Sequence, residues 1–220
     1  MIIPILKPKG PTSFQIIAQI KKITGIKKVG HAGTLDPLAE GVLVVGIGRE
    51  STRKLFAELE KEKEYEVLIE LGKTSTTDDE EGEKTIWKVS KVPEESEVSE
   101  ALKQFIGEIW QMPPVYSSVK RGGVRAYEDA RKGRKVLLGK RQVLIKEITI
   151  LDYNWPLLKL NVVTGPGVYI RSLARELGEA LKVGGYVKEL KRTRVGEFGL
   201  KDCLRVETLK LEVGNGKMIF

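Results

Sequence analysis

The segment VGHAGTLDPLAEG, residues 29–41, places Asp36 directly before Pro37 and five residues after His31, the one histidine of the chain. A carboxylate in that setting either caps a short turn with Pro37 at its first helical position, or belongs to a loop folded around chemistry. Arg171 is harder to explain as a plain surface cation. It follows the turn Gly165-Pro166-Gly167 and falls in the first turn of a helix, where the macrodipole disfavours positive charge, so some other group must hold it. Tyr65 and Tyr169 lie on apolar faces and read first as core, yet a buried phenol needs a partner for its hydroxyl, which leaves room for a second role. With one cysteine (Cys203) and one histidine, the chain cannot assemble a Cys/His zinc site. Relays of the Cys-His or Ser-His-Asp kind remote from residue 31 lack their histidine. The glycines of GVLVVGIGRES do not form GxGxxG, and no GxxxxGK followed by Ser or Thr occurs, so a nucleotide-cofactor fold loses support.

These residues need a scaffold, and its elements are legible from hydrophobic periodicity. SFQIIAQIKKIT (13–24) sets Ile16, Ile17, Ile20 and Ile23 on one helical face, with Thr12 or Ser13 as N-cap and Gly25 as the stop. GVLVVGIG (41–48) reads as a buried strand, and Tyr65 to Leu71 alternates apolar and polar positions. Further strands are expected around 84–90, 142–153 and 157–164. YIRSLARELGEALK (169–182) is helical, with Ile170, Leu173, Ala174, Leu177 and Leu181 as its apolar stripe and Gly184 just past the end. Strands interrupted irregularly by helices indicate an α+β, mixed α/β domain rather than regular βαβ winding.

At 220 residues the chain can bury a core without disulfide staples, and its single cysteine suits a reducing compartment, the cytoplasm. The start, MIIPILKPKGPTS, has too short an apolar run for a signal peptide, and no stretch elsewhere approaches membrane-spanning length. Net charge is +8. Residues 120–141 hold nine basic side chains against Glu128 and Asp129, whereas 78–83 and 94–100 are acidic. Segregated positive charge is the footprint of a polyanion partner, although a lysine-rich thermophile surface shows a similar composition.

Taken together, the motifs resemble one family. GHAGTLDPLAEGVL (30–43) is similar to the GHxGTLDPxAxGVL signature of the TruB/Cbf5 branch of pseudouridine synthases. In the same order follow KPKGPTS (7–13), KEYEVLIELG (63–72), TSTTDDEEG (74–82), QMPPVYSSVKRGGVRAYEDARKG (111–133), GVYIRSLARELG (167–178) and LKRTRVGEF (190–198). The resemblance runs from about residue 5 to 205, and the bacterial TruB type fits best. It implies the pseudouridine synthase fold, a largely antiparallel mixed sheet flanked by helices, with a basic thumb inserted at about 111–141. One catalytic domain over 1–220 is then expected, without the full C-terminal RNA-binding domain of the PUA type into which the family usually continues.

The implied reaction breaks the N1–C1′ bond of uridine 55 in the T loop of tRNA, turns the uracil over and joins C5 to C1′, with no cofactor and no metal. Asp36 is by similarity the essential carboxylate, acting at C1′ as nucleophile or at C2′ as base through a glycal. Arg171 supplies the opposite charge that keeps it ionised. Tyr65 stacks on the uracil and is a candidate for late proton removal, and His31 fills the gap left by the everted base. Tyr169 and Leu190 complete the pocket wall. Lys7, Lys120, Arg121, Arg125 and Arg131 are expected on RNA backbone. Ala32 and Glu40 replace small hydroxyl residues common among bacterial relatives. The expected partner is the T-stem-loop of tRNA, with no membrane and with the protein as a monomer. A guide-RNA-dependent, Cbf5-like synthase and a non-catalytic RNA-binding or folding module are the competing readings.

Overall fold

The computed structural model of the protein describes residues 1–117, 119–121, 124–126, 129, 134, 138–211 and 218–219. In chain order its elements are β1 (Ile2–Lys7), α1 (Ser13–Thr24), β2 (Val29–Ala32), β3 (Glu40–Ile47), α2 (Arg49–Leu59), β4 (Lys63–Leu71), β5 (Lys73–Ser75) and β6 (Lys84–Ile86). Then follow α3 (Glu95–Lys103), β7 (Gly107–Gln111), β8 (Lys120–Arg121), β9 (Val124–Arg125), β10 (Arg141–Asn154), β11 (Leu157–Thr164), α4 (Ile170–Ala180), β12 (Gly185–Val195), β13 (Phe198–Gly199), β14 (Lys210–Leu211) and β15 (Met218–Ile219). The chain forms two compact units, Met1–Glu66 with Leu190–Phe220, and Val67–Glu189. The α+β class and the mixed, largely antiparallel sheet expected from sequence are both present.

In the first unit the strand order is β1-β3-β12-β4, and β2 also pairs with β3. β3 reads GVLVVGI because it is covered on every side: Val42, Leu43, Val44 and Val45 have no solvent exposure. β1 runs antiparallel along its whole length, from Ile2 opposite Gly46 to Lys7 opposite Gly41. The other edge of β3 changes partner. β2 pairs with it antiparallel only as far as Ala32 opposite Val44, and at Glu40 and Gly41 the neighbour is β12, running parallel at Lys191 and Arg192. Residues 33–39 loop out between the two pairings. Gly41 has φ +115, and a Cβ there would lie 2.1 Å from the Arg192 carbonyl oxygen, so no side chain fits where the two strands meet.

Helix α1 starts at a reciprocal cap. The Thr12 hydroxyl accepts from Gln15 N, and the Gln15 side chain accepts from Thr12 N, while Gly25 at φ 67 ends the helix. Ile16, Ile17 and Ile20 are buried as expected. Ile23 is instead 39% exposed, because in the last turn Thr24 takes the inward position and its hydroxyl donates to Ile20 O. Helix α2, which periodicity had not marked, lays Leu55 against Gly46, where a Cβ would come within 2.9 Å of the leucine. Leu55 joins Ala32, Val42, Val44 and Val195 in one core cluster.

The second unit carries the order β12-β4-β11-β10-β7. β10 and β11 form a long antiparallel hairpin closed by a cis Trp155-Pro156 bond, and β7 pairs antiparallel with the start of β10. The strand expected at 84–90 shortens to β6, which pairs with β5. The helix expected over 169–182 is α4, with Tyr169 as its N-cap. Gly178 lets α4 lie on the chain at Gly184 and Gly185, since a Cβ there would be 2.2 Å from backbone. Glu70 of β4 is buried beneath Lys73, Lys188 and the Tyr186 hydroxyl. Burial alone would raise its carboxyl, but the hydrogen bonds from Lys188, Lys73 and Tyr186 bring it down to about 2.

Candidate active site

Asp36 sits in the loop that leaves β2 and returns as β3. Its backbone carbonyl accepts from Ala39 N at 3.1 Å with Pro37 at the second position, so the structural reading of an Asp-Pro turn holds for the main chain. The side chain is half-buried. Leu35 and Leu38 on either side point into the core, at 3% and 4% exposure, which pins the loop around the carboxylate. Polar groups complete the anchoring. The Ser13 hydroxyl, at the start of α1, donates to Leu35 O and accepts from Leu35 N, both at 2.9 Å. Gly10 N donates to Pro37 O at 2.8 Å.

Two buried cations brace the same loop. Lys7 is fully buried at the end of β1, and its ammonium donates to Ala39 O at 2.7 Å and Pro8 O at 2.9 Å, with Pro37 O at 3.5 Å. This corrects the expectation that Lys7 grips RNA backbone. The chain folds its ammonium inward because the turn after Asp36 presents carbonyls that only a donor can satisfy. Arg192 of β12 is 1% exposed and donates to Val42 O at 2.8 Å and Gly33 O at 3.0 Å. It therefore ties the exit of β2 to β3 at the point where β3 changes partner. Lys63 lies close by: a Cβ on Gly33 would be 3.4 Å from the Arg192 guanidinium and 3.7 Å from Lys63 Cε. Burial first, and the neighbouring Arg192 charge second, lower the Lys63 ammonium to about 8.

His31, Tyr65 and Leu190 belong to this first unit as well. His31 is half-buried on β2 and lines an open groove together with Lys27, Lys28 and Phe56. Tyr65 is on the inward face of β4, two residues after Lys63, and Leu190 is on β12; each is 7% exposed. Of the expected phosphate contacts in the thumb, Lys120, Arg121 and Arg125 are placed by backbone only, in the β8–β9 hairpin. Arg131 lies outside the described residues, as do the side chains of those three.

Tyr169 and Arg171 come together in the second unit at the start of α4. Gln111, 1% exposed at the end of β7, holds Tyr169 from both sides: its amide oxygen accepts from Tyr169 N at 2.8 Å and its nitrogen donates to Tyr169 O at 3.1 Å. Arg171 is 4% exposed. Among the groups that hold this cation at a helix start are Thr77 O at 3.0 Å, Tyr116 O at 2.8 Å and the Asp79 carboxylate at 3.4 Å. Asp79, 2% exposed, is fixed in turn by the Thr77 hydroxyl at 2.5 Å and by Glu81 N at 3.0 Å. One turn later Arg175 pairs with Asp78, whose carboxyl burial pushes up against the pull of that arginine.

Sequence reasoning missed Ser13 as a loop anchor, along with Arg192, Gln111 and Asp79. Ser13 stood next to a better cap, Thr12. Asp79 was hidden in an acidic run that reads as solvated surface. Arg192 sits in KRTR, where alternation on a strand puts one of several cations inward without saying which. Among the described residues no cluster of three His, Cys, Asp or Glu is placed to hold a metal, and no helix is long and apolar enough to cross a membrane.

Comparison with known proteins extends over nearly the whole chain. Residues 21–170 match the N-terminal domain of TruB family pseudouridylate synthases, and residues 171–216 match the C-terminal domain of tRNA pseudouridylate synthase B. A tRNA pseudouridine synthase B from Chlamydia abortus is 43% identical over 204 residues, covering 92% of this chain and 86% of that protein. The same enzyme from Phocaeicola vulgatus is 43% identical over 208 residues, covering 92% and 88%. Among solved structures, a Cbf5-Nop10-Gar1 complex aligns with a TM-score of 0.71 at 33% identity, covering 94% of this chain and 53% of that one. An H/ACA RNP bound to a substrate RNA containing 2'-deoxyuridine aligns with a TM-score of 0.70 at 31% identity, covering 94% and 51%. The chain thus spans about half the length of those two solved chains.

Proposed function

The chain belongs to the TruB family of pseudouridylate synthases, which makes it an isomerase of tRNA uridine, and we propose that its target is position 55 of the T loop and its essential group the Asp36 carboxylate. The reaction breaks N1–C1′, turns the retained uracil over and forms C5–C1′, with the proton of C5 ending on N1. No atom is gained or lost. Asp36 acts in its ionised form, as nucleophile at C1′ or as base toward C2′. The family pattern assigns Arg171, which Thr77, Tyr116 and Asp79 hold, as the cation that favours the ionised carboxylate. Tyr65 stacks on the uracil and takes the C5 proton; Tyr169 and Leu190 wall the base, and His31 fills the stack it left.

The observation that carries this reading is the loop. A half-buried carboxylate on a main chain clamped by Ser13, Lys7 and Arg192 is presented at fixed geometry, which is what attack on a sugar carbon requires. Asp36→Asn keeps the shape and removes the charge. Incubated with unmodified tRNA and no guide RNA, the wild type should convert one uridine, and Asp36→Asn none, with RNA binding retained. A fully active Asp36→Asn variant overturns the assignment; turnover by the wild type only when a guide RNA is supplied would favour the Cbf5-like mode instead.

A further inference from the structure

We propose that the groove beside His31 is a second nucleotide site, which takes the base adjoining the everted uridine on the ring of Phe56 and its phosphate between Lys27 and Lys28; the proposal rests on the T-loop reading above. The groove has a volume of about 580 Å³ and lies in the first unit between the end of α1, β2 and α2. Its cationic lining is Lys21, Lys27 and Lys28, with no carboxylate among the lining residues. Among the described residues none of these three lysines is ion-paired, so three like charges line the groove without a paired carboxylate among those residues. Phosphate is the complement such a cluster fits.

Phe56 is the second part of the argument. It is 71% exposed, although its helix already buries Ser51, Leu55 and Glu58. The ring is left largely outside the core and lines the groove beside its lysines. An exposed aromatic face among unpaired lysines is the recurring platform for one base of a single strand, with stacking that tolerates any base. His31 lines the same groove. The residue assigned to replace the everted base in the stack thus lines the groove proposed for the next nucleotide.

The test uses the full chain and T-arm RNA carrying 2-aminopurine next to the target uridine, with affinity measured at several salt concentrations. Phe56→Ala should weaken binding about ten-fold, and Phe56→Leu nearly as much, while Phe56→Tyr binds like wild type. The 2-aminopurine signal seen with wild type should disappear in Phe56→Ala. Lys27→Gln with Lys28→Gln should flatten the salt dependence by about one phosphate contact or more. Phe56 is exposed, so these variants keep their fold, which a thermal melt checks. Wild-type affinity in Phe56→Ala, or full rescue by Phe56→Leu, overturns the site. Asp36→Asn is run alongside: if it binds RNA without turnover while Phe56→Ala binds like wild type, the groove proposal alone has failed.

Discussion

Replacing Ser13 by alanine removes one oxygen and strips two partners from a single residue of the Asp36 loop. The hydroxyl is 2% exposed and bridges Leu35 N and Leu35 O, 22 residues away, at 2.9 Å each. Alanine leaves a buried donor and a buried acceptor unmatched, each costing about 1–3 kcal/mol. Allowing for partial relaxation, Ser13→Ala should destabilise the protein by about 2–4 kcal/mol, a large part of a typical 5–15 kcal/mol. Leu35 directly precedes Asp36, so the damage should also reach chemistry: kcat falls about ten-fold or more, as for small misplacements of a reacting group, with tRNA affinity unchanged. The neighbouring residue is the control. Thr12→Ala removes an exposed helix cap, costs about 1 kcal/mol and leaves kcat alone. Urea unfolding and single-turnover pseudouridine formation read both quantities. If Ser13→Ala and Thr12→Ala were indistinguishable in stability and both turned over at the wild-type rate, the bracing argument would be wrong.

Gly41→Ala places a Cβ 2.1 Å from the Arg192 carbonyl at φ +115 and should cost more than about 3 kcal/mol or prevent folding, whereas Gly25→Ala, also left-handed but with open space around it, should cost about 1 kcal/mol; urea titration of the pair separates strain from collision. For Glu70, whose carboxyl is held at about 2 by Lys188, Lys73 and Tyr186 against the opposing effect of burial, the folded state binds its proton more weakly than the unfolded chain. Its contribution is therefore full above the ordinary carboxylate range and is lost as pH falls from about 4.5 through about 2. Discounted for the exposure of the two lysines, it amounts to roughly 1–2 kcal/mol. The stability gap between wild type and Glu70→Gln should accordingly close between pH 6 and pH 2, and a constant gap would refute the assignment.

How much was legible follows from what kind of signal each feature leaves. α1 and α4 are amphipathic with caps at both ends of α1, and both were readable to within about two residues. β3 was readable because it is apolar throughout. Asp36, His31, Tyr65, Tyr169, Arg171 and Leu190 could be singled out because they sit in collinear motifs. Their supports could not. Ser13, Arg192 and Gln111 act through main-chain carbonyls and amides, and a residue that binds backbone leaves no complementary residue type elsewhere in the sequence to betray it. Lys7 shows the same limit from the other side: its charge suggested a phosphate, and only the inward-facing carbonyls of Pro8, Pro37 and Ala39 reveal where an ammonium at that position goes.

The clamp from Arg192 to Gly33 spans 159 residues of chain, which fixes a time order in biogenesis. While the ribosome is still making the middle of the protein, the segment around Asp36 has emerged with one of its tethers not yet synthesised, and closing so long a loop awaits the strand that carries that arginine. A product that terminates ahead of this strand therefore holds Asp36 but lacks the tether from Arg192 that fixes the loop around it.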